Sequence, residues 1–140
     1  MNIYFATKFA NRLLMQCFIE LLIQRHPFIV CTSRWVYHNA LATVEDKANF
    51  DYEDIDNSKL MIVYGPIEFG ASSEMGYAIA KGIPIIYLTD PLFLNGVTDP
   101  LPIGKLKHFN GSMSMVNHGY IVHNLHDVDK LISFYFNSNG

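Results

Sequence analysis

The stretch from Leu60 to Leu88, LMIVYGPIEFGASSEMGYAIAKGIPIIYL, sets two apolar runs, Leu60 to Tyr64 and Ile85 to Leu88, on either side of a segment of small residues. Short apolar runs bounded by Gly and Pro read as buried strands. Between them Gly70 to Gly82, GASSEMGYAIAKG, reads as a small-residue loop running into a short helix. Strand, loop, helix, strand is a βαβ unit, the connection that parallel strands require. In such a unit the carboxyl end of the first strand and the first turn of the helix form a crevice. Free N–H groups and the helix dipole there favour anions. Glu74 falls at the mouth of that crevice.

Outward from this unit the same pattern repeats. Asn2 to Ala6 reads as a first strand. Ala10, Leu13, Leu14, Cys17, Phe18, Leu21 and Leu22 recur at helical steps and predict an amphipathic helix with that set facing the core. It should end near His26, because Pro27 disfavours helical geometry in the residue before it. Phe28 to Thr32 reads as a second strand. Ser33 to Asn39, SRWVYHN, has no period and reads as a loop, either packed around a buried Trp35 or forming a wall of the crevice. The acidic segment Thr43 to Ser58 predicts an exposed helix that becomes irregular around Asp51 to Asp56. Pro91 to Gly111 carries many prolines and glycines and reads as loops with at most a helical turn near Lys105. Gly119 to Val122 reads as a last strand. Asn124 caps a final helix with Asp127 three residues on and Val128, Leu131, Ile132 and Tyr135 along one face, and Asn137 to Gly140 should fray. The sum is one α/β domain over residues 1–140. It is a doubly wound fold of flavodoxin-like or Rossmann-like type, a five-stranded parallel sheet with helices on both faces.

Composition narrows the function classes. With 50% hydrophobic and only 16% charged residues the chain is not a disordered one. So low a charge in a small domain predicts a homodimer or higher homo-oligomer that covers apolar surface. A net charge of −3 and a pI near 6.0 give no electrostatic footprint for a nucleic-acid polymer, although a small nucleoside or nucleotide fits as a ligand. Cys17 and Cys31 belong to no CxxC pair and read as core thiols of a reducing compartment. The start MNIYFATKF lacks the zones of a signal peptide, and no apolar run reaches membrane-spanning length, so a cytoplasmic protein without a membrane partner is expected.

Chemistry gathers around Glu74. In the first turn of its helix, behind Ser72 and Ser73, the dipole should keep it ionised, and an ionised carboxylate is a competent nucleophile toward an electrophilic sugar carbon. The same position also serves helix stability alone. Gly70, Ala71, Ser72 and Gly76 are small, as they must be where a ligand approaches the backbone. Glu68 and Asp51 supply further carboxylates, and glycosidic cleavage needs one carboxylate to attack and another to move a proton. Arg34 and Trp35 suit a phosphate or a base, or a structural role equally well. His118, His123 and His126 with Asp127 match no common metal spacing, so neither a metal nor another cofactor is expected. The loop lacks a P-loop lysine and the G-x-G-x-x-G pattern, which argues against ATP hydrolysis and NAD chemistry.

IYFAxxF at Ile3 to Phe9, D-x-x-x-I at Asp51 to Ile55, and E-x-G-x-x-x-E-x-G-Y-A-x-x-x-G over Glu68 to Gly82 together resemble the nucleoside 2-deoxyribosyltransferase family. TSRWV at Thr32 to Val36 resembles its short, often phage-borne branch, and the likeness runs from residue 3 to about residue 90. The resemblance implies that Glu74 forms a covalent deoxyribosyl ester, that Tyr4 orients it, and that Asp51 handles the proton near the base. It implies a substrate pocket along Phe5, Ala6 and Phe9. Glu68 stands where such transferases carry an aspartate that reads the base. Related nucleoside 5'-monophosphate glycosidases hold phosphate with serines and a basic residue near the first helix, roles that Ser72, Ser73 and Arg12 or Lys8 would take. The family's asparagine from a neighbouring subunit has three candidates here, Asn95, Asn110 and Asn117. Transfer to a second base, hydrolysis, and ligand binding without turnover all remain open at this level.

Overall fold

The computed structural model describes residues 1–37, 44–65, 67–89, 101–102 and 119–138. Its strands are β1 (Asn2–Ala6), β2 (Val30–Cys31), β3 (Leu60–Tyr64), β4 (Ile85–Leu88), β5 (Leu101–Pro102) and β6 (Gly119–Val122). Its helices are α1 (Arg12–Arg25), preceded by a 3-10 turn at Phe9–Asn11, then α2 (Arg34–Tyr37), α3 (Val44–Asp56), α4 (Phe69–Ala80) and α5 (Leu125–Ser138). The sheet order is β2-β1-β3-β4-β6-β5. Five strands run parallel as expected, and β5 adds a short antiparallel edge on β6, paired through Leu101 with Ile121 and Pro102 with Tyr120.

Alternation along the strands builds two cores. Ile3 and Phe5, Leu60, Ile62 and Tyr64, Ile86 and Leu88, and Val122 face α1 and α5, where Met15, Phe18, Ile19, Leu22, Val128, Leu131 and Ile132 meet them. Tyr4 and Ala6, Met61 and Val63, Ile85 and Tyr87, and Ile121 face α3 and α4, against Ile55, Ala71, Met75 and Ala78. A strand side chain changes face at every residue, so each central strand feeds both layers. The path from β1 goes outward to β2 and then back across to β3, which makes the gap between β1 and β3 the switch point of the sheet.

Several expectations need correcting. On α1 the buried set is Met15, Phe18, Ile19 and Leu22, whereas Leu13 is 69% exposed and Cys17 is exposed, so Cys17 is no core thiol. The helix is apolar nearly all round, and the sheet selects a face adjacent to the expected one. The second strand keeps only Val30 and Cys31. Ile29 N–H turns back to His26 O at 3.0 Å, and at the other end the Ser33 hydroxyl takes the backbone of Phe5 in place of a ladder partner. The segment read as a loop after it contains the helical turn α2. The acidic helix α3 stays regular through Asp56, because Ile55 is buried in the core with Tyr4 and Met61 and Asp54 is buried on Arg34. α4 already begins at Phe69, so the expected loop is helix, and α5 continues through Ser138 where fraying was expected. The turn near Lys105 lies outside the described residues.

The cap on α5 forms as read. Asn124 Oδ1 accepts the Asp127 N–H at 2.9 Å, and Asn124 Nδ2 donates to Asp127 Oδ2 at 3.1 Å. Asn124→Ala is expected to lower stability by about 1–2 kcal/mol, since it removes both bonds from a buried cap. A urea titration showing an unchanged midpoint would contradict this.

Candidate active site

Three elements bring their polar side chains to the switch point. Tyr4 is fully buried on the α3 and α4 face of β1, with its hydroxyl pointed at two carboxylates. One is Asp51, half-buried near the end of α3; the other is Glu74 on α4. Ala71, Met75 and Ala78 anchor α4 to the sheet, and Glu74 lies on the flank of that buried stripe. The Tyr4 hydroxyl makes no hydrogen bond of ordinary geometry among the described residues, yet it lowers the pKa of both acids.

The electrostatics differ from the expected ones. Because α4 starts at Phe69, Glu74 sits in the second turn, beyond the reach of the strong part of the dipole. Burial dominates there. It pushes the Glu74 carboxyl up to about 8, the negative charge of Asp51 adds to this, and the Tyr4 hydroxyl opposes it. Burial also pushes Asp51 up to about 6, helped by Asp54 and opposed by Tyr4 and Arg34. The Tyr4 phenol is raised well above its ordinary value by burial and by Glu74 and Asp51, so it stays a donor. Two neighbouring carboxyls with such displaced titrations hold one proton between them over an interval around neutrality, and the two values belong to the pair. One acid and one carboxylate then coexist in one site.

The remaining residues expected at the site divide into groups. Glu68 is exposed at the N-cap of α4, and Gly70 and Ser73 are exposed beside it. A Cβ built on Gly70 meets nothing within 4 Å, so that face of the first turn is open. Ser72 is half-buried, with its N–H already donated to Glu68 O at 2.8 Å. Phe9 is 63% exposed in the 3-10 turn after β1, with the Arg12 guanidinium 5.9 Å from its ring centroid. Ala6 is buried on the Tyr4 face. Phe5 is not with them: its side chain points to the opposite core, edge-on to Phe18, and its N–H and C=O are bonded to Ser33 and Trp35. Arg34 and Trp35 are engaged with α3 and β1. Of the asparagines considered, all three lie outside the described residues, as does His118; His123 is bonded to Thr89 and His126 is exposed.

Sequence reading missed the support beneath the crevice. Gly65, directly after β3, has φ +77, a conformation that favours glycine. Tyr87 donates its hydroxyl to Gly65 O at 2.7 Å, Thr7 donates to Tyr64 O at 2.7 Å, and Asn11 donates to Thr7 at 3.3 Å. These bonds fix how the chain leaves β3 on its way to α4 and Glu74. The Gly-Pro pair at Gly65 was the one available signal.

Strand order and carboxyl pair define the class: a doubly wound α/β domain with Tyr4, Asp51 and Glu74 gathered between β1, α3 and α4. Among solved structures the chain is similar to a CMP N-glycosidase of Clostridium botulinum, at 17% identity with a TM-score of 0.60, covering 96% of this chain and 98% of that one. It is also similar to a conserved protein from Enterococcus faecalis V583, at 23% identity with a TM-score of 0.67, covering 91% and 94%. At these identities the likeness is one of fold. No protein-family model matches the sequence, and no curated protein matches it.

Proposed function

We propose that this chain cleaves the N-glycosidic bond of 2'-deoxynucleosides, or of their 5'-monophosphates, through a covalent glycosyl-enzyme on Glu74, as a member of the nucleoside 2-deoxyribosyltransferase-like group. The observation that carries this reading is the convergence of Tyr4, Asp51 and Glu74 at the switch point with displaced carboxyl titrations. A Glu74 oxygen attacks the anomeric carbon, the carbon–nitrogen bond breaks, and its electron pair leaves with the base, which takes the proton from Asp51. Tyr4 donates to the Glu74 carboxylate and holds it for attack. Water or a second base then attacks the same carbon, Asp51 takes the proton from that acceptor, and Glu74 leaves as a carboxylate. Hydrolysis and transfer differ only in the acceptor.

Attack needs the pair's single proton on Asp51. Shifting it from Glu74 to its neighbour leaves the net charge of the site unchanged, and positive charge developing on the sugar favours the shift. Two features bear on the substrate. The named N-glycosidase of similar fold acts on CMP, which favours a nucleotide, and Lys8 and Arg12 lie near the start of α1 to meet a phosphate. Glu68 at the α4 N-cap repels a phosphate placed at that helix end, which favours the nucleoside.

Mixing the protein with a panel of deoxynucleosides and their 5'-monophosphates should release free base and give a sugar-sized mass adduct that maps to Glu74. The productive member of each pair identifies the substrate. A folded sample that releases no base and gains no mass across the panel, yet binds a nucleotide, would replace this reading with a binding protein.

A further inference from the structure

The segment Thr32 to Trp35 ties β1 to α3. On the β1 side, Thr32 donates its N–H and hydroxyl to Ile3 O at 3.0 and 3.2 Å. Ser33 Oγ accepts the Phe5 N–H at 2.6 Å and donates to Phe5 O at 3.1 Å, and Trp35 Nε1 donates to Phe5 O at 2.9 Å. Ile3 and Phe5 are the chain neighbours of Tyr4. On the α3 side, Arg34 donates its backbone N–H to Asp54 Oδ2 at 3.0 Å and its Nε to Asp54 Oδ1 at 2.8 Å. Its Nη2 lies 3.4 Å from both Phe50 O and Glu53 Oε1, and its guanidinium stacks 4.4 Å from the Phe50 ring centroid. Phe50, Glu53 and Asp54 surround Asp51 along the helix.

Asp54 is 5% exposed, so its charge needs a partner, and Arg34 supplies donors to both oxygens. The guanidinium is thereby committed to α3. We propose that Arg34 and Asp54 are positioning residues for Asp51: the brace fixes the turn of α3 that carries Asp51 relative to the strand that carries Tyr4. The two opposed charges held there also bear on the Asp51 carboxyl, Asp54 against its ionisation and Arg34 in favour of it. This rests on Asp51 being the proton donor of the proposed reaction. The charged or titratable groups that face Asp51 are Tyr4 from β1, Asp54 from its own helix, Arg34 from α2 and Glu74 from α4.

The test is a carbon-13 NMR titration of the Asp51 carboxyl, with base release measured in parallel, on the native chain, Asp54→Asn, Arg34→Gln and the double variant. Removing the Asp54 charge should lower the Asp51 midpoint by about half a unit to one unit, and removing the Arg34 charge should raise it by a similar amount. The double variant, which lacks both charges, should bring the midpoint back toward native, while its base release stays as low as in the singles because the brace is broken in all three. Loss of packing alone would not move the singles in opposite directions and restore the double. Asp54→Asn keeps the side-chain shape and can still accept one of the two Arg34 N–H groups, so it decides the matter if Arg34→Gln fails to fold. Midpoints that stay put, or that move the same way in both singles, overturn the proposal. Midpoints that move as expected in a native chain that releases no base would sink the enzymatic reading and leave the pair standing.

Discussion

Glu74→Gln is expected to lose base release by on the order of 10³-fold or more while becoming the more stable protein. The amide cannot form the ester, so no adduct should be trapped. Stability moves the other way because the folded protein raises the Glu74 carboxyl from its ordinary 4.5 to about 8. The folded state therefore binds that proton more tightly than the unfolded chain does. Its stabilising share is complete below the unfolded value and is lost as pH rises toward about 8. Glutamine does not ionise and escapes the loss. Thermal melts should show the two proteins converging near pH 4 and the variant ahead at pH 8, by on the order of a few kcal/mol. Equal melting at both pH values would mean that Glu74 is not the buried carboxyl described here, and unimpaired base release would remove it from the mechanism.

Asp51→Asn should cost about 10²- to 10⁴-fold in base release, the range typical of a lost general acid. The native profile should be bell-shaped, rising through about 6 as the pair loses its first proton and falling through about 8 as it loses the second. Without Asp51 the fall at high pH should vanish. Glu74 should also ionise at lower pH, because the negative neighbour that holds its proton on is gone. A substrate whose base leaves without being protonated, such as a 7-methylguanine deoxynucleoside, should recover most of the lost rate. A variant equally slow on that substrate would show that Asp51 shapes the site and donates nothing.

The strands were legible in the sequence because β3 and β4 are uninterrupted apolar runs bounded by turn residues, and β1 and β6 are short β-prone runs of mostly apolar residues. The cap at Asn124 was legible for a similar reason, since its partner Asp127 is local. Where competing faces were both apolar, as on α1, periodicity could not choose, and burial of Met15 and Ile19 rather than Leu13 and Cys17 was decided by the sheet. The small residues Gly70 to Ser73 read as loop by composition, yet Ala71 is buried and the helix runs through them. That one-turn difference reverses the expected ionisation of Glu74. The carboxylates themselves could be named from their pattern, but their titration depends on burial that no spacing displays. Arg34 and Asp54 are 20 residues apart, and no local rule pairs them.

Both outer strands of the sheet are blunt. β2 offers the backbone of Val30 and Cys31 alone, and β5 offers Leu101 and a proline that has no N–H to give. A row of free amides is the template on which one sheet recruits another, and neither described border supplies one of useful length. Along the described residues the strongly apolar sheet thus offers no border suited to edge-to-edge stacking into fibres, even though half of the sequence is hydrophobic.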